Sequence, residues 1–363
     1  MSLRNDTGIL IFLTCLFISA NSSAQIKGDD GLTINGYVDT YYSYDFNDPE
    51  SHNRPAFIYN YNRTNEVNVN LAMIKLSYSK ERVRGNLSLM AGTYSNANLS
   101  SETGLLKNIY EANAGVKLSK KTDVWLDAGI MNSHIGFESA VGKDCWTLTR
   151  SLPAEGSPYY ETGARVSYNS EDSKWYLAGL VLNGWQRTTR VNGNNTLGFG
   201  TQVTYKTSPE FLINNSTYFG NDNPDSTKAM RYFADTYLTC MLSKHFAVTA
   251  GYDIGIQQKS KGSSDYFTWY SPVVILKAIF NEYFSAAGRF EYFHDPSQVI
   301  FATGTPNGFR TLGYSLNIDY QVTSQALLRI EGRSLDSKDA IFIKGSELKN
   351  SNFALASSLS LTF

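Results

Sequence analysis

The sequence has few of the residues that build disulfide scaffolds or catalytic clusters. It contains 3 cysteines and 4 histidines in 363 residues, and 32 Lys and Arg nearly balance 33 Asp and Glu. So few cysteines exclude a disulfide-built fold. A near-neutral chain without blocks of like charge gives no indication of nucleic-acid binding. Because the histidines are isolated from one another, we expect no cofactor, no metal site, no catalytic residues and no enzyme.

Long apolar runs are also missing. The main one, Ile9–Ile18, is much shorter than the ~20 residues that a helix needs to cross a bilayer. It is followed by Ser22 and Ala24, small residues of the kind that signal peptidase prefers. We therefore predict a secretory signal peptide at 1–24, cleaved near Ala24, and one exported domain at 25–363.

Aromatic residues are abundant by contrast. Phe, Trp and Tyr make up 13% of the chain, with 24 Tyr and 20 Phe, although the mean hydropathy is negative at −0.29. These rings are spread through short alternating stretches and do not gather in long apolar segments. Tyrosine has an apolar ring and a polar hydroxyl, which suits the two aromatic belts of a membrane barrel at the interfaces between lipid and water.

Period-two alternation of apolar and polar residues predicts strands almost everywhere after residue 32. Near the end, Phe353, Leu355, Leu359, Leu361 and Phe363 share one face, and small polar residues share the other. The predicted strands are 32–46, 67–79, 83–94, 109–119, 122–131, 159–169, 174–184, 197–207, 210–219, 229–242, 245–257, 266–280, 283–293, 309–322, 325–334 and 351–363. The strands at 174–184, 210–219 and 266–280 alternate poorly, and the last contains Pro272.

The connections alternate between very short turns and long loops, as in outer-membrane barrels. Charge is confined to one face of the strands, apart from Lys75 and Lys277, whose side is ambiguous. A soluble β-sandwich would keep its charges outside. We therefore predict an all-β fold, a transmembrane up-and-down antiparallel β-barrel of about 16 strands, with short periplasmic turns, long external loops and both termini in the periplasm.

A barrel of this size is wide enough for an aqueous channel. The longest loop, 132–158, is either an external surface loop or a constriction that folds into the lumen. If it folds inward, its charged residues should face lumen residues such as Arg165. The candidate pore-lining or constriction residues are Lys143, Asp144, Arg150, Glu155, Glu161, Arg165, Arg231, Asp235, Arg289, Glu291, Arg329, Glu331 and Arg333.

Several runs resemble the OmpL-like β-barrel porin family of Gram-negative bacteria. They are Gly36–Tyr42, Gly142–Trp146, Thr149–Leu152, Ser157–Gly163 and Leu182–Gln186. The resemblance implies an outer-membrane channel protein and does not specify its solute. Cys145 departs from a position that is usually polar in the family, so no shared role is carried over to it. A C-terminal aromatic such as Phe363 looks like the assembly signal of outer-membrane barrels.

The favoured function is an outer-membrane porin, a passive diffusion channel for small hydrophilic solutes or ions through a charged lumen. The expected partners are outer-membrane lipid, those solutes, the barrel-assembly machinery and, by analogy with sixteen-strand porins, two further copies in a homotrimer. The alternative is a barrel scaffold whose external loops bind a surface ligand or polymer, with Tyr59, Asn60, Tyr61 and Asn62 as contacts. An outer-membrane hydrolase is disfavoured because no triad is recognisable.

Overall fold

A computed structural model describes residues 26–27 and 31–363 of the chain. The predicted signal peptide at 1–24, with its cleavage site near Ala24, lies outside the described residues. Ile26–Lys27 forms a two-residue strand that pairs antiparallel with the first long strand, where Ile26 lies opposite Ile34.

The long strands form one closed antiparallel sheet. Each pairs with the next along the chain, and the last pairs with the first, where Thr362 lies opposite Tyr37. The strands are β1 Leu32–Asp45, β2 Val67–Lys80, β3 Val83–Ala91, β4 Ile109–Lys117, β5 Asp123–Asn132, β6 Tyr160–Asn169, β7 Trp175–Leu182, β8 Gly198–Ser208, β9 Phe211–Gly220, β10 Arg231–Ser243, β11 Phe246–Gln258, β12 Tyr266–Ile279, β13 Phe284–Asp295, β14 Phe309–Thr323, β15 Ala326–Ser337 and β16 Ser351–Thr362. The predicted sixteen-strand barrel is confirmed, with strand ends within a few residues of those expected.

The strands carry their apolar side chains outward and their polar side chains inward. Along β14, Leu316 and Ile318 are 61% and 46% exposed, whereas Asn317 and Asp319 beside them are 0% and 7% exposed. A soluble sandwich would show the reverse pattern. The barrel therefore has an apolar outer wall and a polar inner face, the pattern that is typical of transmembrane β-barrels.

The two strand lysines of ambiguous side both point into the barrel. Lys75 Nζ lies 2.6 Å from Glu111 Oε2 on β4. Lys277 Nζ lies 6.0 Å from the ring centre of Trp146, a residue of the loop inside the barrel. A lysine on the outer wall at mid-membrane would cost about 2 to 4 kcal/mol. Charged residues at outward strand positions are then found near the strand ends, at Lys80, Arg310 and Asp336.

Pro272 is accommodated by a gap in one ladder of β12. Towards β11 it lies opposite Tyr252. Towards β13 the pairing passes from Tyr270 directly to Val273. Because proline has no N–H to donate, it fits where the ladder is interrupted. The hydroxyl of Ser271 donates to the Tyr292 carbonyl oxygen at 2.7 Å and so provides a hydrogen bond across the gap.

The connections differ between the two ends of the barrel, here named the turn end and the loop end. Tight turns join the strands at the turn end, and long loops join them at the loop end. The short helices are α1 Thr93–Asn98 and α2 Leu152–Glu155, with 3-10 turns at Gly104–Asn108, Gly142–Asp144 and Asp225–Thr227. A small hairpin pairs Phe342–Lys344 with Glu347–Lys349. Within residues 26–27 and 31–363, no helix has the length and apolar character to span a membrane.

Candidate functional site

The loop between β5 and β6, residues 133–159, lies inside the barrel and is here called the inner loop. Three of its backbone N–H groups donate to inward side chains: Leu148 to Asn317, Thr149 to Glu331 and Leu152 to Glu291, at 3.1, 2.5 and 2.5 Å. These acceptors lie on β14, β15 and β13. Since β13 is eight strands from β5 in a sixteen-strand barrel, the loop crosses the full width of the lumen. The structure thus selects the inward alternative over an external loop.

Arg329 on β15 fastens the inner loop to the wall. Its Nη1 donates to the Gly142 carbonyl oxygen at 2.7 Å and its Nη2 to the Cys145 carbonyl oxygen at 2.9 Å. Its Nε also lies 2.7 Å from Asp319 Oδ1. The guanidinium therefore binds a strand carboxylate and two loop carbonyls at once, which a planar five-donor fork allows.

The neighbouring charged side chains extend this attachment. Arg289 Nη1 donates to the Thr149 carbonyl oxygen at 2.6 Å, and its Nη2 lies 3.0 Å from Glu331 Oε1. Arg333 Nη2 lies 2.7 Å from Glu291 Oε1. Together with Arg329 and Asp319, these four residues form what we call the charged wall. Removing one partner of such a buried pair typically costs about 3 to 5 kcal/mol, because the other charge remains buried and unpaired.

The arginines and glutamates of the charged wall were predicted to line the pore, whereas Asp319 was not among those candidates. These arginines and glutamates are at most 2% exposed, and Asp319 is 7% exposed. They lie between the inner loop and the barrel wall, so in this structure they hold the loop and do not face open water. The sequence places them correctly on the inner face, but it gives no sign that a loop covers them.

Arg150 closes the inner loop on itself. Its Nε and Nη1 donate to the carbonyl oxygens of Ser139 and Leu148, both at 2.5 Å. Arg150 does not face Arg165 as expected, because it is fully buried among loop carbonyls. Arg165 instead approaches Asp127, its neighbour on β5, at 3.6 Å.

The loop between β1 and β2, residues 46–66, folds over the inner loop and is here called the mouth loop. The Tyr61 hydroxyl donates to Asp39 Oδ2 at 2.6 Å, and the Tyr59 N–H donates to Glu155 Oε2 at 3.1 Å. Gly142 lies against Tyr61 so closely that a methyl group there would overlap the hydroxyl. Asn60 and Tyr61 are fully buried, so these two residues do not present the ligand-binding surface of the scaffold alternative.

An apolar cluster fills the lumen near the loop end. Buried side chains from the mouth loop, the inner loop and six or more strands meet there: Ile58, Ile135, Leu152, Leu180, Leu182, Tyr218, Phe233, Trp269, Phe293, Phe301, Phe309, Leu335 and Phe342. The sequence analysis did not predict it. The sequence does contain a sign of this cluster, which is the poor alternation of β7 and β12. Their inner faces are apolar because the apolar cluster and the inner loop cover them.

A polar cavity of about 470 Å³ lies on the turn-end side of the inner loop. Lys143 and Asp144 of the loop border it, and Asn35 and Lys75 border it from the wall. The Lys143 and Asp144 side chains are 28% and 39% exposed, and Lys143 Nζ lies 2.7 Å from Asp144 Oδ1. Of the predicted constriction residues in the loop, these two border the cavity and are partly exposed.

A protein-family model identifies the family of this chain. The model described as "putative beta-barrel porin-2, OmpL-like" matches residues 31–363. The chain belongs to this family. The match confirms the resemblance drawn from the sequence runs, two of which, Gly142–Trp146 and Thr149–Leu152, lie in the inner loop. None of the curated proteins compared matches the sequence.

Solved outer-membrane proteins share the fold of this family member. OmpT of Vibrio cholerae is 9% identical, with a TM-score of 0.60 over 93% of this chain and 100% of that one. The channel DcaP of Acinetobacter baumannii is 11% identical, with a TM-score of 0.58 over 94% and 100%. The anion-selective porin from Comamonas acidovorans is 10% identical, with a TM-score of 0.58 over 92% and 99%. At these identities the likeness concerns the fold, which is that of a porin-like outer-membrane barrel.

Glu161 and Asp235, two further candidates, hold the first residues of the inner loop. Glu161 Oε2 lies 2.7 Å from His134 Nδ1, and Asp235 Oδ2 accepts the Gly136 N–H at 3.2 Å. His134 Nε2 also lies 2.9 Å from the Thr217 carbonyl oxygen. These contacts direct the loop inward as soon as it leaves β5.

Arg231 is the remaining candidate and lies at the loop end of β10. Its Nη1 is 3.5 Å from Asp222 Oδ2, and its guanidinium lies over the Trp185 ring at 5.0 Å. The second contact is a cation–π interaction within the usual range. Arg231 therefore joins a loop to the wall beside the apolar cluster.

Docking of the mouth loop on the inner loop should weaken as pH rises. Burial raises the pKa of Glu155 from 4.5 to about 7. Between about pH 4.5 and 7, Glu155 is protonated when the two loops are docked and ionised when they are apart. The free energy that favours docking therefore falls as the pH rises through this window, and it is constant above pH 7. The full shift corresponds to about 3 kcal/mol. Hydrogen exchange of the Tyr59 amide at pH 5 and pH 8 measures it.

The Glu155→Gln variant supplies the control for this pH dependence. Glutamine keeps an oxygen acceptor for the Tyr59 N–H but does not titrate. We expect equal protection of Tyr59 at both pH values in the variant. Protection that still falls with pH in Glu155→Gln would assign the effect to another group.

Proposed function

We propose that this barrel is an outer-membrane porin, a passive diffusion channel for small hydrophilic solutes or ions. The observation that carries the proposal is the polar cavity beside the inner loop, inside a closed barrel whose charged side chains face inward except near the strand ends. A lumen lined by charge stays hydrated, whereas the outer wall is apolar enough to reside in lipid. The loop end then faces the exterior, and both termini lie in the periplasm after removal of 1–24.

The inner loop would act as the constriction of this channel. Lys143 and Asp144 carry opposite charges at the cavity and pair with each other, so they offer hydrogen bonds to neutral solutes and little net field. Positive charge in the same half of the lumen comes from Arg84, Lys75 and Arg165, but each of these residues lies near an acidic partner. We therefore expect discrimination mainly by size.

Conductance of the purified barrel tests the proposal. In planar bilayers we expect discrete, ohmic channel steps, and in liposomes swelling that slows as the test sugars and amino acids become larger. The heat-unfolded protein is the matched control. Absence of conductance from protein shown to be folded would overturn the channel function.

We also propose a homotrimer, inserted by the barrel-assembly machinery. Its support is the shared fold with porins, since one of the similar OmpT structures is a trimer form. Crosslinking of the protein in its membrane, followed by electrophoresis, should give a species three times the mass of the chain.

A further inference from the structure

A second pocket opens at the loop end, above the charged wall. It has a volume of about 340 Å³ and lies between the mouth loop, the β13–β14 loop and the β15–β16 loop. Pro55 and Phe57, Ala302, and Ile341 and Ile343 give it apolar sides. A volume of this size accommodates a small organic molecule.

Arg54 of the mouth loop contributes to the lining of this pocket, and its guanidinium has no hydrogen-bond partner among the described residues. The residue is 3% exposed, and within the described residues its Nε, Nη1 and Nη2 make no hydrogen bond. Burying an unpaired guanidinium is costly, and native proteins rarely leave such donors unused. Burial lowers the pKa of Arg54 to about 10, so the group is still a cation at neutral pH.

Three acidic side chains lie near Arg54, those of Asp45, Glu331 and Glu155, and none of them accepts a hydrogen bond from its guanidinium. Asp45 Oδ1 accepts the Asn47 N–H at 2.9 Å and the Asn352 Nδ2–H at 2.7 Å. Glu331 is held by Thr149 and Arg289, as described above. Arg54 therefore keeps its positive charge and its donors for a group that comes from outside the protein.

We propose that this pocket binds a small organic monocarboxylate. The carboxylate would pair with the fork of Arg54, and the apolar part would lie against Phe57 and Ile341. Guanidinium and carboxylate are matched in shape, and their hydrogen bonds gain strength where water is excluded. The apolar sides disfavour phosphate or sulfate, and Asp45 on the pocket lining would repel a second carboxylate. The inference builds on the proposed channel, since it names a class of solute that its entrance would take.

Binding to the whole folded protein in detergent tests this site directly. Benzoate and butyrate are titrated by calorimetry, and benzamide and butyramide serve as uncharged analogues of the same shape. We expect saturable binding of the acids, with affinity at least about tenfold greater than for the amides, because the charged hydrogen bonds are lost in the amides. Equal affinity of acid and amide, or no saturable binding of either acid, would overturn the proposal.

Two single substitutions in the loops of the loop end identify the residue responsible. Arg54→Gln should weaken benzoate binding by at least about tenfold. Lys261→Gln removes a cation of the β11–β12 loop that does not line the pocket and donates to the Asp225 carbonyl oxygen at 2.8 Å, and it should leave the affinity unchanged. Unchanged binding in Arg54→Gln would refute the assignment. If that variant does not fold, the comparison of acids with amides on the natural sequence decides.

Conductance separates this site from the channel itself. If the protein conducts but binds no monocarboxylate, the proposed channel function stands and the proposed binding site is refuted. If the protein binds benzoate but does not conduct, the proposed binding site stands and the proposed channel function is refuted. The two proposals can therefore fail independently.

Discussion

Arg329→Met should release the inner loop and raise the single-channel conductance. The substitution removes the donors to Gly142 and Cys145 and leaves Asp319 without its arginine. Breaking a buried pair of this kind costs about 3 to 5 kcal/mol, enough to undock a loop while the backbone ladders of the barrel persist. Planar-bilayer recordings measure the conductance, and trypsin cleavage after Arg150 reports exposure of the loop.

Arg84→Met is the matched control for this experiment. Arg84 is also an inward arginine, and it pairs with Asp127 at 2.5 Å and lies 4.2 Å from the Trp125 ring, both on β5. Its loss changes the charge of the lumen equally without touching the attachment of the loop. We expect no new trypsin cleavage in Arg84→Met. A similar rise in conductance in both variants would show that lumen charge, and not loop docking, limits conduction.

Deletion of Phe363 should prevent most of the chain from assembling in the membrane. Phe363 N donates to the Gly36 carbonyl oxygen at 3.0 Å, and Gly36 N donates back to the Phe363 carbonyl oxygen at 2.5 Å. The ring covers Gly36 so closely that a methyl group there would overlap it. The deletion therefore removes two hydrogen bonds at the seam that closes β16 on β1. The folded fraction is measured by heat-modifiable migration of membrane extracts.

Phe353→Ala controls for the loss of one outward phenyl ring. Phe353 lies on β16 with 43% exposure, against 50% for Phe363, but near the loop end. We expect Phe353→Ala to assemble at nearly the natural level. Refolding in detergent then separates two roles of Phe363. A deletion variant that refolds alone but fails in cells has lost recognition by the assembly machinery, and normal insertion in cells would contradict both roles.

The outer wall could be predicted because its pattern is local. In β14 every second residue from Leu312 to Val322 is apolar, as are the outward residues of β16 from Phe353 to Leu361 except Ser357. A strand that alternates in this way has only one side that can face lipid. The poorly alternating strands could not be read in this way, because contacts with distant residues determine which side chains their inner faces carry. In β12, Val273 and Ile275 face inward and pack against Phe137 and Trp146 of the inner loop. Both faces of the strand are then apolar, and the period-two pattern is lost.

The candidate site was only partly predictable for the same reason. All the charged residues expected on the inner face lie there, since the pattern assigns each to the polar side of its strand. Their partners could not be predicted. Nothing near Glu291 in the sequence indicates that it accepts the N–H of Leu152, which is 139 residues away. Arg54 likewise lies in a loop without alternation, and its burial depends on three loops meeting at the mouth.

The sequence by itself thus determined the strands, their number and the side of each that meets lipid. These follow from alternation and from the cost of placing charge in a membrane, and both act on each strand separately. The tertiary structure decided that the inner loop crosses the lumen, that a charged wall holds it, and that an apolar cluster fills the loop end. It also decided that the Arg54 guanidinium has no hydrogen-bond partner within residues 26–27 and 31–363. Each of these depends on contacts between distant segments, which form only when the barrel closes.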